Sequence, residues 1–357
     1  MQSGEKIPKM KGFREGIKNL KPEELRKINI DIVKKSRENK IYRQGSIDGL
    51  VVAGIDGVET FGSYKKDWDN SYKTKIKVKK YNEGKQEIEE REYHKQINLV
   101  AKIVGKRPGL VLGYEKITDQ GKNGKQEYEP DVGIKLLTKI KKEYGRIIDI
   151  VVGDAIYLNK EFIERALELE YNCILRLKDN NSTILKDAEG LFKSKEPQEW
   201  KNKRKVVNTN VHQERKIKAW SDIFEYQGIK VRVVKFEERY NKTKKEEQVD
   251  IIYVISTDLN ISEQTINKII HERWDIENNG FNELKSYWNM KHCFIAQENA
   301  IDVIIETIIM SYNIWEMYLY QHLHNFEEMK ITKMGYIEEV CESLEKLSKE
   351  EIGFSSA

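Results

Sequence analysis

Three carboxylates occupy sequence contexts in which an acid is either costly or purposeful. Asp56 lies within GLVVAGIDGVETF (49–61), an otherwise largely apolar run. A charge there is expensive unless it is paired or holds a metal ion. Asp154 closes IIDIVVGD (147–154), which is apolar apart from Asp149. The end of such a strand is where α/β sheets present functional groups. Glu277 follows Arg273 by four residues, so the two share one face of the helix that the local pattern predicts. Ile266, Ile269 and Ile270 continue that face and indicate that it points inward.

Each acid also fits a structural role. Asp56-Gly57 reads as a turn, Asp154 as a turn or cap, and Arg273–Glu277 as a surface ion pair of small worth. Two acids on strands and a third on a late helix form a much more specific set. The string Ile-Asp-Gly occurs twice, so Asp48 of Ile47-Asp48-Gly49 competes with Asp56. The apolar residues preceding Asp56 favour Asp56.

The elements that must position these acids are legible in outline. Helical periodicity around Leu25, Ile28 and Ile32 opens a lysine-rich N-terminal segment. A buried strand then carries Asp56. The charged stretch from Tyr64 to Glu92 reads as a solvated loop or an edge hairpin. Strand-like runs follow at Tyr93–Val104 and Gly109–Ile117, and the segment GKNGKQ (121–126) is a loop. A helix through Val132, Leu136 and Ile140 ends at Gly145, a good C-terminal cap. After the Asp154 strand, Asn159 can cap a helix reaching Leu169, with Glu161 well placed in its first turn. YNCILRLK (171–178) is another strand, residues 198–257 turn to β, and a helix begins near Asn260 or Ser262. This order fits a layered α/β domain.

Composition limits the alternatives. The chain has 357 residues, 34% charged and 39% hydrophobic, with a formal net charge of +4. This suits a soluble globular protein and is compatible with nucleic-acid binding without being diagnostic. Cys173, Cys293 and Cys341 have no paired spacing, which argues against a disulfide framework or a CxxC zinc site and predicts a reducing, cytoplasmic setting. No signal peptide is visible in MQSGEKIPKMKGFREG. The apolar stretch Ile301–Leu323 contains Asp302, Glu306 and Glu316, and reads as a buried core helix rather than a membrane span. The six histidines form no ligand pattern. No GxGxxG or GxxxxGK[ST] loop occurs, which argues against a nucleotide-driven motor.

The strings Ile55-Asp56-Gly57, VVGDAIYLNKEFIERALELEYNCILRLK and RWDIENNGFNELKSYW together resemble the bacterial insertion-sequence transposases of the DDE type. The resemblance runs from about Gly49 to His324. It implies an α/β, ribonuclease-H-like mixed sheet flanked by helices, with a β-rich insertion before the last catalytic acid. The implied layout is an N-terminal helical segment (1–45), a catalytic core (46–190 and 258–326), the insertion (191–257) and a C-terminal helical tail (327–357). The family's late-helix signature reads Tyr, two residues, Arg, three residues, Glu, six residues, Lys. Arg273 and Glu277 match it, Ile270 replaces the Tyr, and the nearest lysine, Lys285, comes one residue late. On a regular helix that delay turns Lys285 by about 100°, which a bulge or break at Asn278-Asn279-Gly280 would absorb.

The chemistry implied is phosphodiester attack, first by water and then by a freed 3′-OH, leading to DNA cleavage at transposon ends and strand transfer into target DNA. Asp56, Asp154 and Glu277 are the implied ligands of Mg²⁺, for which Mn²⁺ can substitute. Arg273 is expected on a phosphate and Lys285 on a strand end. Lys178, Lys291 and His292 are further candidate DNA contacts, and Tyr157 reads equally as a phosphate contact or a core residue. Trp220 is a candidate platform for an extruded base. Trp274, Trp288 and Trp315 read as core. The partners expected are terminal inverted repeats and target DNA, with a homodimer assembled on them. A domesticated or inactive remnant that only binds DNA, and a metal nuclease that only hydrolyses it, are the competing readings.

Overall fold

The computed structural model describes residues 10–41, 46–82, 85–105, 108–118, 127–178, 183–205, 212–243, 246–275, 281–323 and 333–351. Two helices, α1 (Met10–Asn19) and α2 (Pro22–Glu38), precede strand β1 (Val52–Ser63). Strands β2 (Tyr72–Asn82), β3 (Lys85–Val104) and β4 (Val111–Ile117) follow, then helix α3 (Glu129–Tyr144). Next come β5 (Ile150–Gly153), α4 (Lys160–Glu168), β6 (Asn172–Leu177) and α5 (Thr183–Phe192). Four strands, β7 (Gln198–Lys205), β8 (His212–Tyr226), β9 (Ile229–Thr243) and β10 (Glu246–Ser256), lead to α6 (Glu263–Asp275), α7 (Glu298–His322) and α8 (Lys333–Glu351).

Among the described residues ten strands form one sheet, in the order β2-β3-β1-β5-β6-β10-β9-β8-β7, with β4 also paired to β3. Strands β4, β3 and β1 are antiparallel neighbours, while β1, β5 and β6 run parallel. This is the mixed sheet that the resemblance implied. The stretch 64–92 resolves in favour of the hairpin, since β2 pairs along the first half of β3. Its exposed alternation of Lys and Glu blunts a free edge. The β-rich segment enters the same sheet, because β10 pairs antiparallel with β6. Strands β8 and β9 meet through Gln227-Gly228, whose φ values of 50° and 88° suit a two-residue hairpin turn.

The two faces of the sheet carry separate cores. On one, Ala53, Ile55, Val151 and Leu175 pack with Val132, Leu136 and Phe162 of α3 and α4. On the other, Val52, Val58, Val152 and Ile174 pack with Ile266, Ile269 and Ile270 of α6 and Ile301, Ile305 and Ile309 of α7. A strand buried on both sides must be apolar at successive positions, which is why IVVG shows no alternation. Asn159 caps α4 as its position predicted, accepting from the Phe162 amide at 2.9 Å. Gly145 ends α3 at φ 68°.

The polar residues of α7 also have partners. Asn313 Oδ1 accepts from the Val111 amide at 2.8 Å and Glu316 Oε2 from the Gly109 amide at 3.1 Å, so α7 clips the outer backbone of β4. No described helix is long and apolar enough to cross a membrane. Helix α2 turns a different face inward from the one its leucine and isoleucines mark: Arg26, Asn29, Val33 and Ser36 are buried, whereas Ile28 is 48% exposed. Arg26 pairs with Glu143 and donates to the Leu112 carbonyl, which outweighs the loss of apolar burial.

Candidate active site

Strands β1 and β5 pair Gly54 with Val152. Two residues beyond that last pair come Asp56, within β1, and Asp154, the residue that follows β5, which puts the two acids on neighbouring segments of the sheet. Side chains alternate across a strand. Val52 and Val152 belong to the core beneath α6, so both carboxylates point toward that face. Continuing from the Gly153–Leu175 pair brings Arg176 of β6 alongside Asp154, with its guanidinium 5.7 Å from the centre of the Trp274 ring on α6.

Asp154 leaves β5 in extended backbone, and its side chain is 35% exposed. Lys178 Nζ donates to Oδ2 at 3.2 Å and lies equally close to Oδ1. Burial pushes the carboxyl up, but the Ala155 amide, Lys178 and the charge of Arg273 together hold it below the usual aspartate value. Oδ1 is buried and accepts no hydrogen bond among the described residues. Asp56 Oδ1 accepts from the Gly57 amide at 3.0 Å. Arg273 is 4% exposed on α6, facing inward as its sequence position predicted.

Lys285 lies in a π turn, Glu283–Tyr287, closed by the Trp288 amide donating to the Glu283 carbonyl at 3.2 Å. A π turn takes up one residue more than an α turn. Burial, together with Lys291, lowers the Lys285 ammonium, while the charges of Asp56 and Glu59 act in the opposite sense. Glu277, the bulge or break expected at Asn278-Asn279-Gly280 and the loop expected at 121–126 lie outside the described residues.

The remaining candidates divide. Lys291 is exposed beside Lys285. His292 is exposed, stacks edge-on with Phe294 at 4.5 Å and borders a cavity of about 720 Å³ between α1 and α7. Trp220 lines up with Lys235, Tyr253 and Leu177 across β8, β9, β10 and β6, a row on the face opposite the acids. Its indole N–H donates to the Lys195 carbonyl at 2.9 Å and Lys235 Nζ sits 4.9 Å from its ring centre. The structure does not bring Trp220 to the carboxylates. Tyr157 is fully buried, its hydroxyl donating to Glu129 Oε1 at 2.5 Å, so it is a core residue beneath the site. Asp48 sits at the far end of β1 at φ 50°, accepting from Thr265 Oγ1 at 2.8 Å and Lys268 Nζ at 2.7 Å. That contact makes it a turn residue tied to α6.

Sequence reading missed Glu129, which approaches the backbone beside Asp56 and is hydrogen-bonded to Tyr157, which packs against the backbone beside Asp154. Its available signal was the pair of glycines, Gly57 and Gly153, that adjoin them. Among the described residues no group of three or more His, Cys, Asp or Glu is placed to hold a metal ion. Asp56 and Asp154 supply a pair of hard-oxygen donors of the kind a divalent cation takes.

A family described as "Transposase DDE domain" matches residues 60–314. The chain belongs to the DDE transposase family. The matched region includes Asp154, Arg273, Glu277 and Lys285 and begins just beyond Asp56, whose assignment in this transposase-family chain therefore rests on its strand register. No curated protein matches the chain by sequence. Among solved structures it is similar to a piggyBac transposase in a synaptic complex with hairpin DNA, at 11% identity and a TM-score of 0.43, over 86% of this chain and 55% of that one. The chain thus spans about half the length of that relative.

Proposed function

We propose that this chain is a working DNA transposase, cutting the ends of a mobile element and joining the freed strands to target DNA. The observation that carries the reading is that the parallel neighbours β1 and β5 bring Asp56 and Asp154 onto adjacent segments, each two residues past the Gly54–Val152 pair, in a chain of this family. Asp56 and Asp154 would hold divalent metal, Mg²⁺ or Mn²⁺, with Glu277 as the third ligand that the family signature implies. Bound metal supplies charge neutralisation at the scissile phosphate and activation of the attacking oxygen.

The chain's own residues supply the rest. Asp154 stays ionised through neutral pH because Lys178 and Arg273 offset its burial. Arg273 offers a planar fork suited to a phosphate, and Lys285 with Lys291 extends positive charge along the path a strand end would follow. Two copies would each grip one inverted repeat before joining, in the cytoplasm where the element's DNA resides.

The test is cleavage and joining by the purified protein of DNA carrying the terminal repeats that flank its gene. Strand breaks and joined products that require Mg²⁺ or Mn²⁺ are expected. Metal-dependent breaks without joined products would indicate a nuclease instead, and binding without breaks would indicate an inactive remnant.

A further inference from the structure

The glycines beside the two acids meet one buried object. A Cβ placed on Gly153, the residue before Asp154, would lie 2.8 Å from Tyr157 Cδ2. A Cβ on Gly57, the residue after Asp56, would lie 3.2 Å from both carboxylate oxygens of Glu129. Tyr157 and Glu129 are themselves joined by the 2.5 Å hydrogen bond. The pair therefore spans the ends of β1 and β5 from the face opposite the acids.

The approach is built from three elements. Glu129 opens α3, where a carboxylate is favoured by the helix dipole. One turn later, a Cβ on Gly133 would lie 3.3 Å from Tyr157 Cε1 and 3.0 Å from Phe162 Cε2, so α3 packs closely onto both rings at that glycine. Tyr157 stacks on Phe162 of α4 at 5.2 Å and shows no exposure. A phenylalanine would fill the same space without burying a hydroxyl, which costs free energy unless its hydrogen bond is well made. The polar pair thus adds direction that packing alone would not provide.

We propose that the Tyr157–Glu129 hydrogen bond is a positioning element that fixes the spacing of Asp56 and Asp154 for metal binding. The inference rests on the reading of those two acids as metal holders. Neither residue touches the reacting atoms; both act through the backbone on which the acids are mounted. Groups in this position around metal ligands typically change metal affinity by about 10- to 100-fold when removed.

The experiment titrates Mn²⁺ into the full chain, following free Mn²⁺ by electron paramagnetic resonance, for the parent, Y157F, E129A and E129Q. In parallel, the Mn²⁺ concentration for half-maximal DNA cleavage is recorded. Y157F and E129A are expected to weaken Mn²⁺ binding about tenfold while keeping the parent's circular dichroism spectrum. E129Q retains an acceptor oxygen and is expected to stay within about threefold of the parent. Should Y157F fail to fold, the E129A and E129Q comparison decides.

Parent-like Mn²⁺ binding by Y157F or E129A would overturn the positioning role while leaving the function reading intact. So would equal losses in E129A and E129Q, which would indicate charge rather than geometry. A parent that neither binds Mn²⁺ nor cleaves would instead remove the function reading, and this inference with it.

Discussion

His271 on α6 makes a short hydrogen bond through Nε2 to Oε1 of Glu238 on β9, a carboxylate with no exposure to solvent. Asn267 donates to the same oxygen at 2.7 Å, and Arg215 of β8 donates to Oε2 at 2.8 Å. Arg273 lies half a turn beyond His271. The buried cluster thus ties the helix that carries the signature arginine to the β-rich half of the sheet, and so to the strands that mount the acids.

Removing Glu238 leaves buried donors from three residues without their shared acceptor. E238A is expected to lower unfolding free energy by about 3–5 kcal/mol. Urea denaturation followed by tryptophan fluorescence measures this, and a loss under about 1 kcal/mol would show that the cluster does not fasten α6.

The same cluster sets a pH dependence. Burial pushes the Glu238 carboxyl up, but His271, Asn267 and Arg215 together depress it from 4.5 to about 2. A carboxylate depressed in the folded state stabilises above its unfolded value, and that stabilisation is lost as pH falls through the folded value. Stability is therefore expected to drop between pH 4.5 and about 2, by roughly 3 kcal/mol from this group. Urea midpoints of the parent and E238Q across that range provide the check. A parent no more acid-sensitive than E238Q would contradict it.

Two glycine substitutions should move in opposite directions. In G153A the new methyl lies 2.8 Å from Tyr157 Cδ2, so overpacking is expected to cost about 1–3 kcal/mol. Gly190, in α5, has nothing within 4 Å of its Cβ position, and G190A should be neutral or stabilising by up to about 1 kcal/mol. Thermal melts compare the two, and a G153A protein as stable as G190A would refute the close packing under Asp154.

Lys285 is half-buried and is proposed as a DNA contact. K285A is expected to weaken binding to end DNA and to make its salt dependence shallower by about one phosphate contact. Fluorescence anisotropy at several salt concentrations reads both quantities. An unchanged slope would exclude Lys285 from the DNA path.

Much of this architecture was legible because local signals agreed with the final packing. The apolar run ending in Asp154, the cap at Asn159 and the inward face of α6 each depend on neighbours within a few residues. Other features depend on pairing across long separations. Nothing near Glu129 reveals that it reaches Tyr157, because only the approach of α3 to the ends of β1 and β5 creates that contact. The junction of β10 with β6 is equally non-local, so the β-rich segment reads as an insertion although it extends the sheet. In α2 the buried positions are polar, and counting apolar residues cannot identify a face held by Arg26 and Asn29. The displaced Lys285 was visible as a mismatch, and it falls in a π turn that no local sequence signal announces.

The most direct measurement is Mg²⁺-dependent cleavage of end DNA by D56N and D154N, each compared with D48N and with the parent. The account predicts that D56N and D154N fold and bind DNA but lose cleavage by at least about a thousandfold, while D48N, altered at a turn residue, keeps most of it. Full activity in D56N or D154N, or a loss in D48N alone, would contradict the assignment of Asp56 and Asp154 as the paired catalytic acids.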